Sequence, residues 1–228
     1  MMRESFKNYL LPVYMASLPL YALVHQVFIT PFNLLKNRFK GDRFLEIGPG
    51  KRRIPGFETL SILPGLEVDY VWDASKTLPF RHETFDLIYA SHVLEHMPWY
   101  QLREVLTEWV RLLKRGGQLE IWVPDGLKIA KTFIDAESGN ASLIHQDGWY
   151  RFNERHDPCI WANGRIFSYG NGKGKRGHPN WHLALFSFRY LASLLEDVGL
   201  TDIEMMPLVE VRGYNHGWIN MGVRARKP

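Results

Sequence analysis

Beyond Gly41 the chain alternates short apolar runs with amphipathic stretches, the pattern of repeated strand–helix units on a mostly parallel sheet. Residues 43–47 read as a first strand ending in Gly48-Pro-Gly50. Residues 58–63 read as a weak second strand, and 68–72 as a third that ends at Asp73. A fourth covers 85–90 and a fifth 118–123. Between the last two, Leu102, Val105, Leu106, Trp109, Val110, Leu112 and Leu113 recur at helical spacing, which predicts a helix over 100–114. Lys114-Arg115-Gly116-Gly117 would close it with cations in the last turn and glycine beyond. Another helix follows Asp125 to about Ala136. Residues 138–182 lack sustained periodicity and read as an irregular insertion, with a mobile glycine-rich loop over 170–177. A helix over 187–198 stops at Gly199, and closing strands are expected at 203–207 and 218–224.

The first forty residues differ. Residues 8–33 carry no charge apart from His25 and are rich in Leu, Val, Tyr and Phe, a length that could span a bilayer. Pro12, Pro19 and Pro31 interrupt the stretch, and basic residues flank both ends, so no orientation follows. Three readings stay open: short helices packed on the domain, a segment lying in the membrane interface, and a span. No small-residue cleavage site of the secretory kind is present.

At 228 residues, the chain fits one domain over 41–228 behind that segment. A formal charge of +4 without a long basic run gives no argument for nucleic acid. The single cysteine, Cys159, excludes an internal disulfide and reads as a small buried or half-exposed side chain.

Three segments carry chemistry. In Phe44-Leu-Glu46-Ile-Gly48-Pro-Gly50 a strand runs into a turn where a ligand can approach bare backbone, with the next helix expected to aim its N–H groups at the ligand. A dinucleotide site would want a third glycine; Lys51-Arg52-Arg53 follows instead. Glu46 is a carboxylate suited to an ammonium. In Asp73-Ala74-Ser-Lys-Thr-Leu78-Pro79-Phe80 an acid at a strand end precedes apolar walls fit for a purine ring; the plain alternative is a turn capped by its own aspartate. In Phe85-Asp-Leu-Ile-Tyr-Ala-Ser91-His92-Val-Leu-Glu95-His96, the two histidines are four apart and could share a helical face. The zinc-peptidase glutamate directly after the first histidine is missing, so no metal is expected from that pair.

Taken in order, Leu-Glu-Ile-Gly-Pro-Gly, Asp-Ala-x4-Pro-Phe, Phe-Asp-Leu-Ile-Tyr-Ala-Ser-His-Val-Leu-Glu-His and Leu-Lys-Arg-Gly-Gly-x-Leu resemble the class I methyltransferases that use S-adenosylmethionine, in particular a small bacterial branch with the Ser-His-Val-Leu-Glu-His segment (methyltransferase type 11-like). The resemblance covers residues 42–126 and, more weakly, 180–199. It implies a Rossmann-like α/β fold: a mostly parallel seven-stranded sheet with helices on both faces. It places Glu46, Gly48 and Gly50 on the methionine and ribose side, Asp73 and Ala74 beside adenine, and Ser91 with His92 beneath the methionine portion. Relatives hold both ribose hydroxyls with an acid after strand two; here Ser61 stands there, with Glu58 the nearest acid.

The acceptor site is expected in the insertion. His156, His178 and His182 are the candidate bases, among His145, Tyr150, Asp157, Tyr169, Trp149, Trp161 and Trp181. The resemblance and the apolar N-terminus together suggest a small-molecule or glycan acceptor in cell-surface polysaccharide assembly, in the cytoplasm at the inner face of the membrane. A competing reading is a catalytically degenerate domain that binds S-adenosylmethionine and acts as a membrane-associated partner. An NAD oxidoreductase is disfavoured by the missing glycine and the lack of hydride-site chemistry.

Overall fold

β1 (Phe44–Ile47), β2 (Phe57–Ser61), β3 (Tyr70–Val71), β4 (Phe85–Ser91), β5 (Leu113–Pro124), β6 (Thr201–Met206) and β7 (Asn220–Arg226) form one seven-stranded sheet in the order β3-β2-β1-β4-β5-β7-β6. The computed structural model describes residues 20–50, 53–149, 153–168 and 180–228. β1 to β5 pair in parallel, whereas β7 lies antiparallel between β5 and β6. The order reverses between β1 and β4, both of which end at the same edge. An open α/β sheet binds ligands at such a point.

Alternation along the strands sorts the side chains. Leu45, Ile47, Phe85, Ile88, Ala90, Leu119, Ile121 and Val123 join the main core. α2 (Leu102–Leu112) and α6 (Phe188–Asp197) also feed that core, with Leu102, Val105, Leu106, Trp109, Leu112, Leu191 and Leu195 fully buried. Burial of each such side chain contributes about 1.5–3 kcal/mol. Phe57, Leu87, Tyr89 and Trp122 form a smaller cluster on the opposite face, closed by Ile54, Leu208 and Val211.

Several expectations change. α2 ends at Leu112, so Lys114 and Arg115 are not its last turn; they open β5, where the register against β4 shifts. Gly116 has φ +76°, and a Cβ on Gly117 would stand 2.8 Å from the Lys114 carbonyl, so the glycines serve a strand irregularity rather than a helix cap. The third strand is shorter than expected. No helix follows β1 among the described residues. Only nine residues separate β1 from β2, fewer than the dozen or so that a helical crossover requires.

The insertion is more ordered than its sequence suggests. α3 (Gly126–Glu137) starts at Asp125, whose carboxylate accepts from the Leu127 and Lys128 N–H groups. α4 (Ser142–Asp147) and α5 (Pro158–Phe167) pack against it through Ile129, Ile144, Trp161, Ala162 and Ile219. Asp157 caps α5 in the same way, with Pro158 in its first turn, where a missing N–H costs nothing. Cys159 is exposed, not buried. The loop over 170–177 lies outside the described residues.

Residues 20–37 are helical, ending in α1 (Thr30–Asn37). Pro31 has no N–H to continue the ladder, and a π-turn over His25–Ile29 absorbs the break, with the Thr30 N–H reaching the His25 carbonyl. The segment docks by its polar side. His25 Nε2 donates to the Val68 carbonyl at 3.0 Å, Asn33 donates to the Asp69 carbonyl, and Asn37 donates to the Tyr70 hydroxyl. Thr30 accepts from the Val71 N–H. These bonds cover the exposed edge of β3. Leu23, Val27, Phe28, Phe32 and Leu35 face outward. No helix among the described residues is long and apolar enough to cross a membrane.

Candidate functional site

The carboxyl ends of β1, β2 and β4 and the loop after β3 lie together along one edge of the sheet. Gly48 leaves β1 with φ +73°, its N–H bonded to the Leu60 carbonyl at 2.8 Å. A Cβ there would stand 2.3 Å from Val93 Cγ2, so two separate constraints demand glycine. No atom lies within 4 Å of a Cβ placed on Gly50, so its backbone is open to a ligand. Glu46 is buried and accepts the Ile54 N–H at 3.2 Å. Burial raises its pKa, against the pull of that bond and of Arg53. The short β1–β2 connection thus uses one carboxylate oxygen that the sequence assigned wholly to a ligand.

Ser61 ends β2, and its Oγ accepts from the Leu63 N–H, leaving its own O–H to donate. Glu58 cannot take the ribose position. It is buried in a paired contact with Arg43 (2.9 and 2.8 Å) and accepts the Tyr70 hydroxyl proton, on the core side of β2. Asp73 forms the capped turn raised as the plain alternative: Oδ1 accepts from the Ser75 N–H and hydroxyl, and Oδ2 has no donor among the described residues. α2 holds that loop firmly. Trp109 donates to the Ala74 carbonyl, Glu108 accepts the Leu78 N–H, and Arg111 donates to the Leu78 and Phe80 carbonyls.

His92 sits at φ +54°, a strained position for a residue with a Cβ, which turns the chain sharply out of β4. It therefore does not share a helical face with His96. Its Nε2 lies 2.8 Å from Asn220 Oδ1 and its Nδ1 lies 2.9 Å from Glu95 Oε1. Burial would lower its pKa, but the Glu95 carboxylate and Asn220 override that and raise it. The ring stacks on His216, with centroids 3.8 Å apart. Burial, then the His92 charge, pushes His216 down to about 4.

Beyond His92 lies a polar hollow of about 390 Å³, lined by Glu95, His96, Pro124, Arg165, Ser168, His182 and His216 among others. A second hollow, at the far end of the sheet around Gln118, Asp202 and Arg224, carries no comparable chemistry.

The structure thus brings Glu46, Gly48, Gly50, Ser61, Asp73, Ala74, Ser91 and His92 to adjoining strand ends. Of the three candidate bases, His182 lines the hollow. His156 is exposed and stacks on Trp149 at 4.9 Å instead. His178, like Tyr150, Tyr169, Lys51 and Arg52, lies outside the described residues. Sequence reasoning missed His216 and Glu95 as parts of the hollow and Asn220 as the partner of His92. His216 and Asn220 reach His92 only because the chain returns there on entering β7.

The chemistry of these residues fits S-adenosylmethionine: the second Glu46 oxygen would suit its ammonium, the Ser61 hydroxyl a ribose oxygen, Asp73 Oδ2, which has no donor among the described residues, the adenine amino group, and the open backbone at Gly50 close approach of the ligand.

A family model described as a methyltransferase domain matches residues 55–121, from the start of β2 into β5. No curated protein matches in sequence. Among solved structures, the chain is similar to a SAM-dependent methyltransferase from Methanosarcina mazei, with 19% identity over 85% of this chain and 96% of that one and a TM-score of 0.49. It is also similar to the 1,6-didemethyltoxoflavin-N1-methyltransferase of Burkholderia thailandensis, crystallised with S-adenosylhomocysteine: 14% identity over 98% and 89% of the chains, TM-score 0.48. A third is the CurJ carbon methyltransferase, at 16% identity over 82% of this chain, TM-score 0.44; the present chain spans about half, 48%, of that one. At these identities and scores the likenesses say nothing about an acceptor. The chain has the class I methyltransferase fold, and its residues 55–121 match a methyltransferase domain, an enzyme domain whose cofactor is S-adenosylmethionine.

Proposed function

We propose that the chain transfers a methyl group from S-adenosylmethionine to a small polar acceptor, a hydroxylated molecule such as a glycan unit, held in the hollow beside His92. The observation that carries this reading is the placement of that hollow directly after Ser91 and His92. At about 390 Å³, it has the size of a small-molecule site. Its lining includes imidazole, carboxylate, guanidinium and hydroxyl groups, which suit an acceptor rich in hydrogen-bonding groups.

S-adenosylmethionine supplies a methyl group on a sulfonium centre, so the protein has chiefly to align, and to exclude water. Gly48 and the α2-clamped loop at Asp73 fix one side of the cofactor site. His92, tied at both ring nitrogens, is a positioning residue between the cofactor site and the hollow. Its stacking on His216 closes the hollow from the C-terminal segment.

The location proposed is a membrane surface. The apolar face of the N-terminal helix points away from the domain: Phe28, Phe32 and Leu35 are each more than 60% exposed. Lys36, Arg38 and Lys40 follow directly, a pairing suited to anionic lipid. A cell-surface polysaccharide or lipid-linked acceptor fits such a location.

A second reading is a domain that binds the cofactor without turning over. Ser61 in place of an acid and the missing helix after β1 favour it. Incubation of the full chain with methyl-labelled S-adenosylmethionine and a panel of sugars and lipid-linked sugars separates the two. Label in a hydroxylated acceptor supports methyl transfer. Cofactor binding without label in any acceptor supports the second reading, and no binding refutes both.

A further inference from the structure

We infer that Glu95, His96 and His182 form a binding site for a divalent transition-metal ion of the zinc class, its open position facing the hollow. One ligand atom from each of the three lies within 4.8 Å of the others. The inference needs no methyl transfer, although the three residues line the hollow proposed for the acceptor.

The protonation of the two imidazoles follows from their partners. His96 Nδ1 lies 3.2 Å from the Trp181 carbonyl, and His182 Nδ1 lies 3.2 Å from the Arg165 carbonyl. A carbonyl only accepts, so each ring carries a proton on Nδ1, and in the neutral ring the lone pair is left at Nε2. An N–H tied to a backbone carbonyl is the usual arrangement behind a metal-bound histidine, because it fixes both tautomer and ring direction. The rings stand edge to face, with centroids 5.1 Å apart.

Glu95 supplies the third arm. It is 1% exposed, and neither carboxylate oxygen receives a well-directed hydrogen bond. His92 Nδ1 lies 2.9 Å from Oε1, on one side of the carboxylate. His92 meets the Oε1 side of this buried carboxylate, and a metal cation would meet the Oε2 side, where burial leaves the charge without water. The backbone on both sides of the site is braced. The Leu183 and Ala184 N–H groups both donate to the Glu95 carbonyl (2.7 and 3.2 Å), and the His182 N–H donates to the Phe167 carbonyl. Two imidazoles and one carboxylate, with a fourth direction open, match the ligand set of open zinc and non-haem iron sites. Zinc bonds of about 2.0–2.2 Å would draw the ligand atoms to about 3.4 Å apart, within reach of small side-chain rotations. Arg165, which also lines the hollow, has its guanidinium tied to Asp147.

The test uses the full chain, purified with chelator and dialysed, and titrated with Co(II) followed by its visible d–d absorption. Displacement by Zn(II) is read next. The expected result is one equivalent bound by the wild type, with affinity reduced in both His182→Ala and Glu95→Gln by at least the 10–100-fold typical of disturbing a metal site's outer shell. His156→Ala, outside the hollow, should bind as the wild type does. Circular dichroism reports folding. Should Glu95→Gln fail to fold, His182→Ala carries the test. No binding by folded wild type, or equal binding by His182→Ala, would overturn the inference. S-adenosylmethionine titration of the same samples reads the methyltransferase site separately.

Discussion

Replacing Gly48 with alanine puts a methyl group where the structure allows none. Two costs are separable. A residue with a Cβ at φ +73° pays roughly 1–2 kcal/mol for the left-handed conformation. The new Cβ would also stand 2.3 Å from Val93 Cγ2, closer than any van der Waals contact, and relief by local shifts costs about 1–3 kcal/mol more. Gly48→Ala should therefore destabilise the fold by about 2–5 kcal/mol. Val93→Ala removes the colliding methyl groups and leaves the conformational cost. The double variant should then be more stable than the sum of the singles predicts, by about the size of the clash. Urea unfolding of all four proteins measures this coupling. Zero coupling, or an alanine at 48 that leaves stability unchanged, would refute the account of why β1 ends in glycine.

Four further outcomes are expected. Asp73→Ala should weaken S-adenosylmethionine binding by about 1–3 kcal/mol in calorimetric titration, the cost of an unpaired polar partner; unchanged affinity would remove Asp73 from the adenine position. Ser61→Asp should tighten that binding by roughly 1–2 kcal/mol, because a carboxylate accepts charge-assisted bonds from both ribose hydroxyls where serine makes one. Weaker binding in a folded Ser61→Asp protein would place the ribose elsewhere. Phe28→Ser with Phe32→Ser should release the protein from anionic vesicles in sedimentation without lowering its melting temperature, since neither ring is packed on the domain. A drop in melting temperature would mean the apolar face is covered. For Glu46, burial holds the folded-state pKa above the unfolded value, so its own contribution to stability falls as pH rises from the ordinary carboxylate range through the raised folded-state value. Glu46→Gln should remove that contribution, gaining on the wild type in urea midpoint as pH rises through that range. A constant difference across that range would refute it.

The parallel strands and α2 were legible because each carries a simple period. β1, β4 and β5 are apolar runs ended by turn residues, and the α2 stripe from Leu102 to Leu112 is continuous. The missing helix after β1 was also present as a spacing. The strands read from sequence leave about ten residues between them, too few for a crossover helix, but the Gly-Pro-Gly turn suggested one by analogy. α5 announced itself in Asp157-Pro158, a cap followed by a proline, yet the histidines and tryptophans around it obscured the pattern.

The N-terminal helix inverts the usual inference from apolar residues. Its buried side holds His25, Thr30 and Asn37, chosen by the unpaired edge of β3 rather than by a core. That edge is a property of the sheet, so no local pattern could report it. The hollow was illegible for a related reason. His92 and His96 look like a pair by spacing, but the left-handed turn at His92 separates them. His96 instead meets His182, brought close by the return of the chain through residues 180–187 to the end of β4.

The central claim is that the sheet edge at the ends of β1, β2 and β4 holds S-adenosylmethionine, and calorimetric titration of the purified chain with S-adenosylmethionine and S-adenosylhomocysteine tests it most directly. Micromolar binding of both, abolished in a folded Gly50→Arg protein, is the predicted result; no binding of either by folded wild type, or binding that survives Gly50→Arg, would contradict it.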